Sequence, residues 1–322
     1  MNELTVSAPG KLMLFGEHAV VYGHPCIVTA VSERICLKVE KRQDKDLLIN
    51  AEDVDVYNYK KNISQLGEGH LPKGARFVEI AVKNFYQKFS LDSGLEISVQ
   101  KSFSQSLGLG SSSAVTVCVI FALSKIFNLP FSQKELFELS YKTVLDIQGK
   151  GSGFDIAAAI YGETIYFFTA GKKIEKLPID VIPMFVAYSG VKADTVTLLG
   201  KVKELENKNP TLVKNIYCEI DKIVEDAKKS FKKKDWRQLG SLMSQNQNLL
   251  VDLGVSIPKI DSMIEASLSA GAYGAKISGA GGGDCIIGLA PYNSLDTIKK
   301  SIESVGGNMV NVEPNSEGVK IE

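Results

Sequence analysis

Apolar residues recur along the chain at two spacings, and the two spacings predict alternating strands and helices. Leu95, Ile97 and Val99 alternate with polar residues, which is typical of a strand with one buried face. Over 75–89 the apolar positions are mostly three or four residues apart, which predicts a helix. In the first half of the chain we also predict strands at 4–7 and 11–15 around a Pro9-Gly10 turn, a strand pair at 27–40, a strand at 164–168, helices at 112–127, 132–147 and 153–161, and an irregular polar segment at 47–74.

The second half of the chain repeats this alternation and ends on a compact pattern of strands and helices. We predict strands at 184–188, 274–278, 284–290 and 308–313 and helices at 194–206, 211–231, 235–252, 257–270 and 294–304. Such a pattern indicates a small antiparallel sheet backed by helices, so the fold class is α+β. The polar, glycine-containing segment 169–176 is the predicted boundary, which gives domains at 1–172 and 173–322.

Composition and charge exclude several classes of protein. The 322 residues are 44% hydrophobic and 23% charged, with 37 acidic and 37 basic side chains, so no long-range field favours nucleic acid or an anionic membrane. The longest apolar run, 114–123, is too short to cross a bilayer. Five scattered cysteines and three histidines indicate neither a disulfide framework nor a multi-histidine metal site. Because no signal peptide is visible at the start, the expected location is the reducing cytoplasm.

A glycine-serine loop, Gly108-Leu109-Gly110-Ser111-Ser112-Ser113, stands between a predicted strand and an apolar helix. Glycines let backbone N–H groups turn toward an anion, and a helix start adds the positive end of its dipole. The loop is neither a Walker A loop nor the dinucleotide-binding GxGxxG. Taken alone, it fits a phosphate-binding loop or simply the cap of a buried helix.

Three further stretches carry chemistry, and each also has an ordinary structural explanation. Residues 8–23 place Lys11, Glu17 and His18 within one strand and turn, as in a partly buried ionic site or a strand-edge ion pair. Asp155 stands in the first turn of a helix of small residues, where a structural aspartate is common.

The third stretch, 276–285 (KISGAGGGDC), has four glycines in five positions before an apolar strand. Glycines are costly to order, so they indicate either close approach to a ligand or a tight connection between strands.

Taken together, the stretches resemble the GHMP kinase superfamily. APGKLMLFGEHAVVYG is similar to its first motif, GLGSSSA to its phosphate loop and SGAGGGDC to its third motif, in the same order and spacing. The resemblance implies a two-domain fold, with an N-terminal domain like domain 2 of ribosomal protein S5 and a ferredoxin-like C-terminal domain.

Within the superfamily, GEHAVVYG and the stretch 243–256 are most similar to the short, archaeal-type mevalonate kinases. That similarity implies ATP-dependent phosphorylation of the 5-hydroxyl of mevalonate. The alternatives are phosphorylation of 5-phosphomevalonate and a non-catalytic binding or regulatory member of the fold.

The resemblance also implies roles for individual residues. Asp155 would sit beside the accepting hydroxyl, and Lys11 would stabilise the developing charge. Ser112 would be a ligand of Mg²⁺, and ATP would be the phosphoryl donor. The nucleotide phosphates would be held by Gly108, Leu109, Gly110, Ser111, Ser112 and Ser113. The substrate side would be formed by Glu17, His18, Thr195, Ser278, Gly279, Ala280 and Gly281. Related enzymes are often homodimers, which is the expected assembly.

Departures from the family pattern leave the acceptor and the metal open. The metal-binding glutamate of mevalonate kinases falls at Val144, and Asp146 is two residues further along the helix, on another face. The sequence GSGFD and the aspartate after the glycines, Asp284, resemble phosphomevalonate kinases instead. An additional substrate phosphate would need further cations, for which Lys150 and Lys192 are available.

Overall fold

The computed structural model describes residues 2–101 and 107–322, without the side chains of Lys101, Thr195 and Val196. Its strands, in chain order, are β1 (Glu3–Phe15), β2 (Pro25–Arg42), β3 (Asp46–Ala51), β4 (Val56–Asn62), β5 (Gly94–Lys101), β6 (Thr164–Phe168), β7 (Lys173–Lys176), β8 (Met184–Tyr188), β9 (Gly274–Ser278), β10 (Cys285–Leu289), β11 (Asn308–Met309) and β12 (Lys320–Ile321). Its helices are α1 (Arg76–Phe89), α2 (Ser111–Ile126), α3 (Gln133–Gln148), α4 (Phe154–Tyr161), α5 (Thr195–Lys208), α6 (Pro210–Lys233), α7 (Trp236–Asp252), α8 (Pro258–Ser269) and α9 (Leu295–Ser304).

The larger sheet is organised around the long strand β2. Its strands lie in the order β12-β1-β2-β5-β3-β4, and β6 and β7 continue from the other end of β2. Residues 25–29 of β2 pair with β6, whereas 36–42 pair with β5. Helices α1 to α4 cover this sheet, and α2 is buried on nearly every side because it packs against β1, β2 and the other three helices.

Three expectations for this sheet were wrong. The strand pair predicted at 27–40 is one continuous strand, β2, whose two ends pair with different neighbours. The predicted turn at Pro9-Gly10 does not separate two strands, because β1 continues through it with a register shift between Pro9 and Lys11. Such a bulge accommodates proline, which has no N–H to donate to a strand. The segment 47–74 is not irregular throughout, because it contains β3 and β4. Strand β4 is largely exposed, so no apolar pattern marks it, and it forms by pairing with β3.

The smaller sheet is antiparallel in the order β11-β8-β10-β9, with α7 and α8 against it. This arrangement confirms the predicted α+β class. The strand predicted at 308–313 is shorter in the structure, where β11 spans Asn308–Met309. Strands β7 and β12 belong to the larger sheet, and the division at 172/173 stays a prediction. None of the helices in the described part of the chain has the length and apolar character to cross a membrane.

Candidate active site

The glycine-serine loop meets the start of α2. Gly108 and Gly110 have φ of 68° and 80°, and a side chain on Gly110 would lie 3.2 Å from Lys11 Cε and 3.4 Å from Asp155 Oδ1. The Lys11 N–H holds the loop to β1 by donating to the Leu109 carbonyl at 2.9 Å. Since the first N–H groups of a helix lack intrahelical acceptors, the backbone of this loop can bind an anion.

The loop's residues differ in accessibility. Ser111 and Ser112 are partly exposed, whereas Leu109 and Ser113 are buried. Because Ser111 and Ser112 are partly exposed, their hydroxyl groups are available to a ligand. Leu109 instead packs in the interior.

Lys11 and Asp155 form an ion pair beside this loop. Lys11 Nζ lies 3.4 Å from Asp155 Oδ1 and donates to the Gly108 carbonyl at 3.0 Å. Asp155 stands in the first turn of α4, after the left-handed cap Gly153. Its Oδ1 is buried and has no hydrogen-bond partner among the described residues, although a third of the side chain is exposed. A cation and an under-bonded carboxylate therefore face a backbone that can bind an anion, which is a suitable arrangement for proton and charge handling.

Glu17 is fully buried and paired with Lys276 of β9, which is also fully buried. Lys276 Nζ donates to Glu17 Oε1, whereas Glu17 Oε2 has no hydrogen-bond partner in the part of the chain that the structure describes. Burial raises the pKa of Glu17 and lowers the pKa of Lys276. Sequence reasoning missed Lys276, whose only signal was a lysine inside an otherwise apolar strand.

His18 joins the first motif to the loop 279–283. Its Nε2 donates to the Ala280 carbonyl at 2.9 Å, because a carbonyl oxygen only accepts. Nδ1 is buried and accepts no hydrogen bond from any described residue, and burial lowers the pKa of the ring. His18 is thus neutral at pH 7, with its Nδ1 lone pair available to a hydroxyl donor. The backbone of His18 is also unusual, because its φ of 60° is one that residues other than glycine rarely adopt.

The loop 279–283 is shaped by contacts with both halves of the chain. Ser278 Oγ accepts from Met13 N at 3.0 Å and donates to Met13 O at 3.2 Å, so this hydroxyl fastens β9 to β1. A side chain on Gly281 would collide with the Val255 carbonyl, whereas one on Gly279 would meet open space. The open side of the loop is therefore at Gly279.

Helix α7 holds the segments around Glu17 and Lys276 through two side-chain amides, a role that the sequence did not indicate. Asn246 Oδ1 accepts from Gly16 N at 3.4 Å, and Gln247 Oε1 accepts from Ile277 N at 3.0 Å. These two neighbouring amides hold Gly16, which precedes Glu17, and Ile277, which follows Lys276.

The position corresponding to the family's metal-binding glutamate is apolar. Val144 is buried, and Asp146 is bonded to Asn84 at 2.8 Å and to Lys142 at 2.5 Å. Within 2–101 and 107–322 there is no cluster of three or more histidine, cysteine or acidic residues. The partly exposed Ser112 nevertheless fits Mg²⁺, which usually keeps several waters and takes few protein ligands together with substrate phosphates.

Thr195 begins α5, and its side chain lies outside the described residues. Its neighbour Asp194 caps the helix by accepting from Thr197 N at 3.1 Å. The substrate role of Thr195 stays a prediction.

Comparison with known proteins shows the family. Residues 76–163 match the model of the GHMP kinases N terminal domain, and residues 227–308 match GHMP kinases C terminal. The mevalonate kinase of Pyrococcus furiosus is 35% identical over an alignment 332 positions long, gaps included, which covers 99% of this chain and 98% of that protein. The chain belongs to the GHMP kinase family. The resemblance predicted from the motifs is therefore confirmed.

Two further relatives extend this likeness across the whole GHMP kinase fold. The mevalonate kinase of Archaeoglobus fulgidus is 35% identical and covers 99% of this chain and 100% of its own length. The crystal structure of the Methanococcus jannaschii mevalonate kinase has a TM-score of 0.82 and 27% identity, covering 97% of this chain and 98% of that one.

Proposed function

We propose that this GHMP kinase is a mevalonate kinase, which transfers the γ-phosphoryl group of ATP to the 5-hydroxyl of mevalonate. The observation that carries the proposal is the Lys11–Asp155 pair, 3.4 Å apart, beside the Gly108–Ser113 backbone. The likeness to mevalonate kinases along the full chain supports mevalonate as the acceptor.

Phosphoryl transfer depends mainly on positioning and on neutralising charge. The N–H groups at the start of α2 would hold the phosphates of ATP. A bond forms between the acceptor oxygen and the γ-phosphorus, the bond from that phosphorus to the β–γ bridging oxygen breaks, and ADP leaves. Asp155 takes the hydroxyl proton or orients the hydroxyl, and Lys11 neutralises negative charge developing beside it. Mg²⁺, with Ser112 as a protein ligand, would neutralise charge on the nucleotide phosphates.

The acceptor side is formed by the second half of the chain together with the first motif. His18 Nδ1 would accept a hydrogen bond from a hydroxyl of the acceptor. Glu17 would also form part of the acceptor side. One of its carboxylate oxygens pairs with Lys276, and the other, the buried Oε2, has no hydrogen-bond partner among the described residues. We place the reaction in the cytoplasm, in a homodimer like those of related enzymes.

Removing the Asp155 carboxylate tests this assignment. We expect Asp155→Asn to lower kcat at least ~10²-fold, the lower end of general acid-base effects. Asp146→Asn is the matched control, because it removes a carboxylate that is bonded to Asn84 and Lys142 instead. ADP release is measured separately with mevalonate, phosphomevalonate and galactose.

Each acceptor gives a distinct result. Turnover with mevalonate that Asp155→Asn abolishes supports the proposal. Turnover only with phosphomevalonate would show a different acceptor, and no turnover with any of the three would favour the non-catalytic alternative. Near-normal kcat in Asp155→Asn would remove Asp155 from the reaction.

A further inference from the structure

Asp284 occupies a backbone conformation that normally calls for glycine. It follows Gly281, Gly282 and Gly283 directly, yet its own φ is 53°. An L-residue in the left-handed region is under strain, and such strain persists where the surrounding contacts require the side chain. A fourth consecutive glycine would have met the backbone requirement at this position without strain.

The contacts of Asp284 fasten the segment that leads from β8 into α5. Its N–H donates to the Val191 carbonyl at 2.7 Å, and its carbonyl accepts from Ser189 N at 2.9 Å. Its side-chain Oδ1 accepts from Ala193 N at 3.0 Å and lies 3.4 Å from Lys192 Nζ. Backbone and side chain of this one residue therefore both hold the segment 189–193.

The other carboxylate oxygen faces the phosphate-binding loop. A Cβ on Gly108 would lie 2.7 Å from Asp284 Oδ2, so the carboxylate packs directly on the Gly108 backbone. The next residue adds a second contact, because the Cys285 thiol donates to the Leu107 carbonyl at 3.5 Å. The Asp284 side chain is 15% exposed and lies between the phosphate-binding loop and the segment that leads into α5.

This location has an electrostatic consequence. A carboxylate beside a loop that holds phosphates repels them, and the repulsion is large where water is partly excluded. The Lys192 ammonium, 3.4 Å from Asp284 Oδ1, offsets that charge. The pair can therefore join the two segments without opposing nucleotide binding.

We propose that Asp284 and Lys192 form a charge-neutral latch, which positions the 189–193 segment against the phosphate-binding loop, with Lys192 cancelling the carboxylate's repulsion of the nucleotide. The charge component rests on the proposed function, because it requires ATP phosphates at the loop. Asp284 and Lys192 are positioning residues here, and neither has a chemical step.

The charge component is tested by equilibrium binding of ATP alone, without an acceptor. We expect Lys192→Met to weaken ATP binding about tenfold, because it leaves the Asp284 carboxylate uncompensated near the phosphates. The double variant Lys192→Met/Asp284→Asn should return to within about twofold of wild type, since both charges are gone. Lys203→Met, which removes an exposed lysine of α5 paired with Glu206, is the matched control and should bind like wild type.

The double variant decides between two roles for Lys192. If Lys192 contacts the phosphates itself, the single and double variants lose the same affinity, and that result would overturn the charge component. A double variant that recovers supports it.

The mechanical component is tested by amide hydrogen exchange in the unliganded protein. Asp284→Gly removes the acceptor of the Ala193 N–H and suits the positive φ, so exchange at Ala193 should become at least about tenfold faster. Asp284→Asn keeps an acceptor oxygen and should retain the protection. Equal protection of Ala193 in wild type and Asp284→Gly would overturn the latch.

The two measurements separate this proposal from the proposed function. Failure of the wild-type protein to bind ATP would contradict both the kinase activity and the charge component. The exchange experiment needs neither ATP nor mevalonate, so it decides the latch in either case.

Discussion

Three buried polar atoms at the candidate site have no hydrogen-bond partner among the described residues. They are Glu17 Oε2, His18 Nδ1 and Asp155 Oδ1. Each such group costs about 1–3 kcal/mol if it stays unpaired, so a fold retains them where a ligand can satisfy them. All three belong to residues that the motifs had placed on the acceptor side or at the reacting hydroxyl. At the scale of single residues, unpaired buried groups thus lower the stability of the fold at the place where chemistry is proposed.

Lys276 provides a stability test at this scale. We expect Lys276→Met to lower the free energy of unfolding by about 3–5 kcal/mol, because it leaves the Glu17 carboxylate buried without its cation. The double variant Glu17→Met/Lys276→Met should be much closer to wild type, since an apolar pair can replace a buried ion pair at little cost. Urea denaturation measures both. A double variant as unstable as the single one would show that Lys276 stabilises the fold through contacts other than Glu17.

Whole elements are joined by ion pairs as well as by apolar packing. Strand β7 meets α6 through Glu175, which accepts from Lys228 at 2.7 Å and from Lys232 at 3.3 Å. Lys228 also lies 4.1 Å from the centre of the Tyr166 ring on β6. These lysines lie near the end of α6, so that end of the helix is attached to the larger sheet.

The contact between β7 and α6 predicts a pH dependence of stability. Hydrogen bonds and charge from Lys228 and Lys232 lower the pKa of Glu175 from 4.5 to about 2. Because the folded pKa is depressed, the stabilisation is fully present above pH 4.5 and is lost as the pH falls toward 2. Glu175→Gln should therefore flatten the stability profile in this window. Thermal unfolding measures the effect, and Glu219→Gln, an exposed partner of Lys222 on the same helix, is the control.

If the stability of Glu175→Gln falls as steeply as that of wild type between pH 4.5 and about 2, this account is contradicted. That result would mean that other carboxylates dominate the acid transition and that β7 is held to α6 by packing alone.

At the scale of the whole molecule, the site is shared between the two sheets. Lys11 and Asp155 come from the larger sheet and its helices, whereas Lys276 and the glycine loop come from the smaller sheet. The chain end then returns to the larger sheet, where Val6 pairs with Ile321 and Arg34 donates to the Gly318 carbonyl at 2.7 Å. Neither sheet by itself completes the arrangement.

This interdependence predicts how a fragment behaves. Residues 1–172 alone would lack β7, β12 and helix α6, whose Phe231 packs edge to face on the fully buried Phe15 at 6.3 Å between ring centres. We expect the fragment to expose apolar surface, to bind a hydrophobic dye and to lose the cooperative thermal transition of the full chain. A fragment that unfolds as cooperatively as the full chain would support the division at 172/173 as one between independent domains.

Local patterns predicted most helices and strands because apolar spacing and turn residues act over short distances. They failed where partners decide the conformation. Strand β4 has little apolar pattern and depends on pairing with β3, and β1 passes through Pro9-Gly10 because β2 tolerates a bulge there. The role of Lys276 was missed for the same reason, since Lys276 is 259 residues from its partner Glu17.

The sequence by itself determined the α+β class, the family and the stretches that carry Lys11, Asp155 and the glycine-serine loop, because motif residues and spacing are local properties. Tertiary structure decided what those residues do to one another. It buried Glu17 against Lys276, turned Asp146 away toward Asn84, and set the Asp284 carboxylate against Gly108. Burial and charge pairing depend on distances between remote segments, and only the packed chain defines those distances.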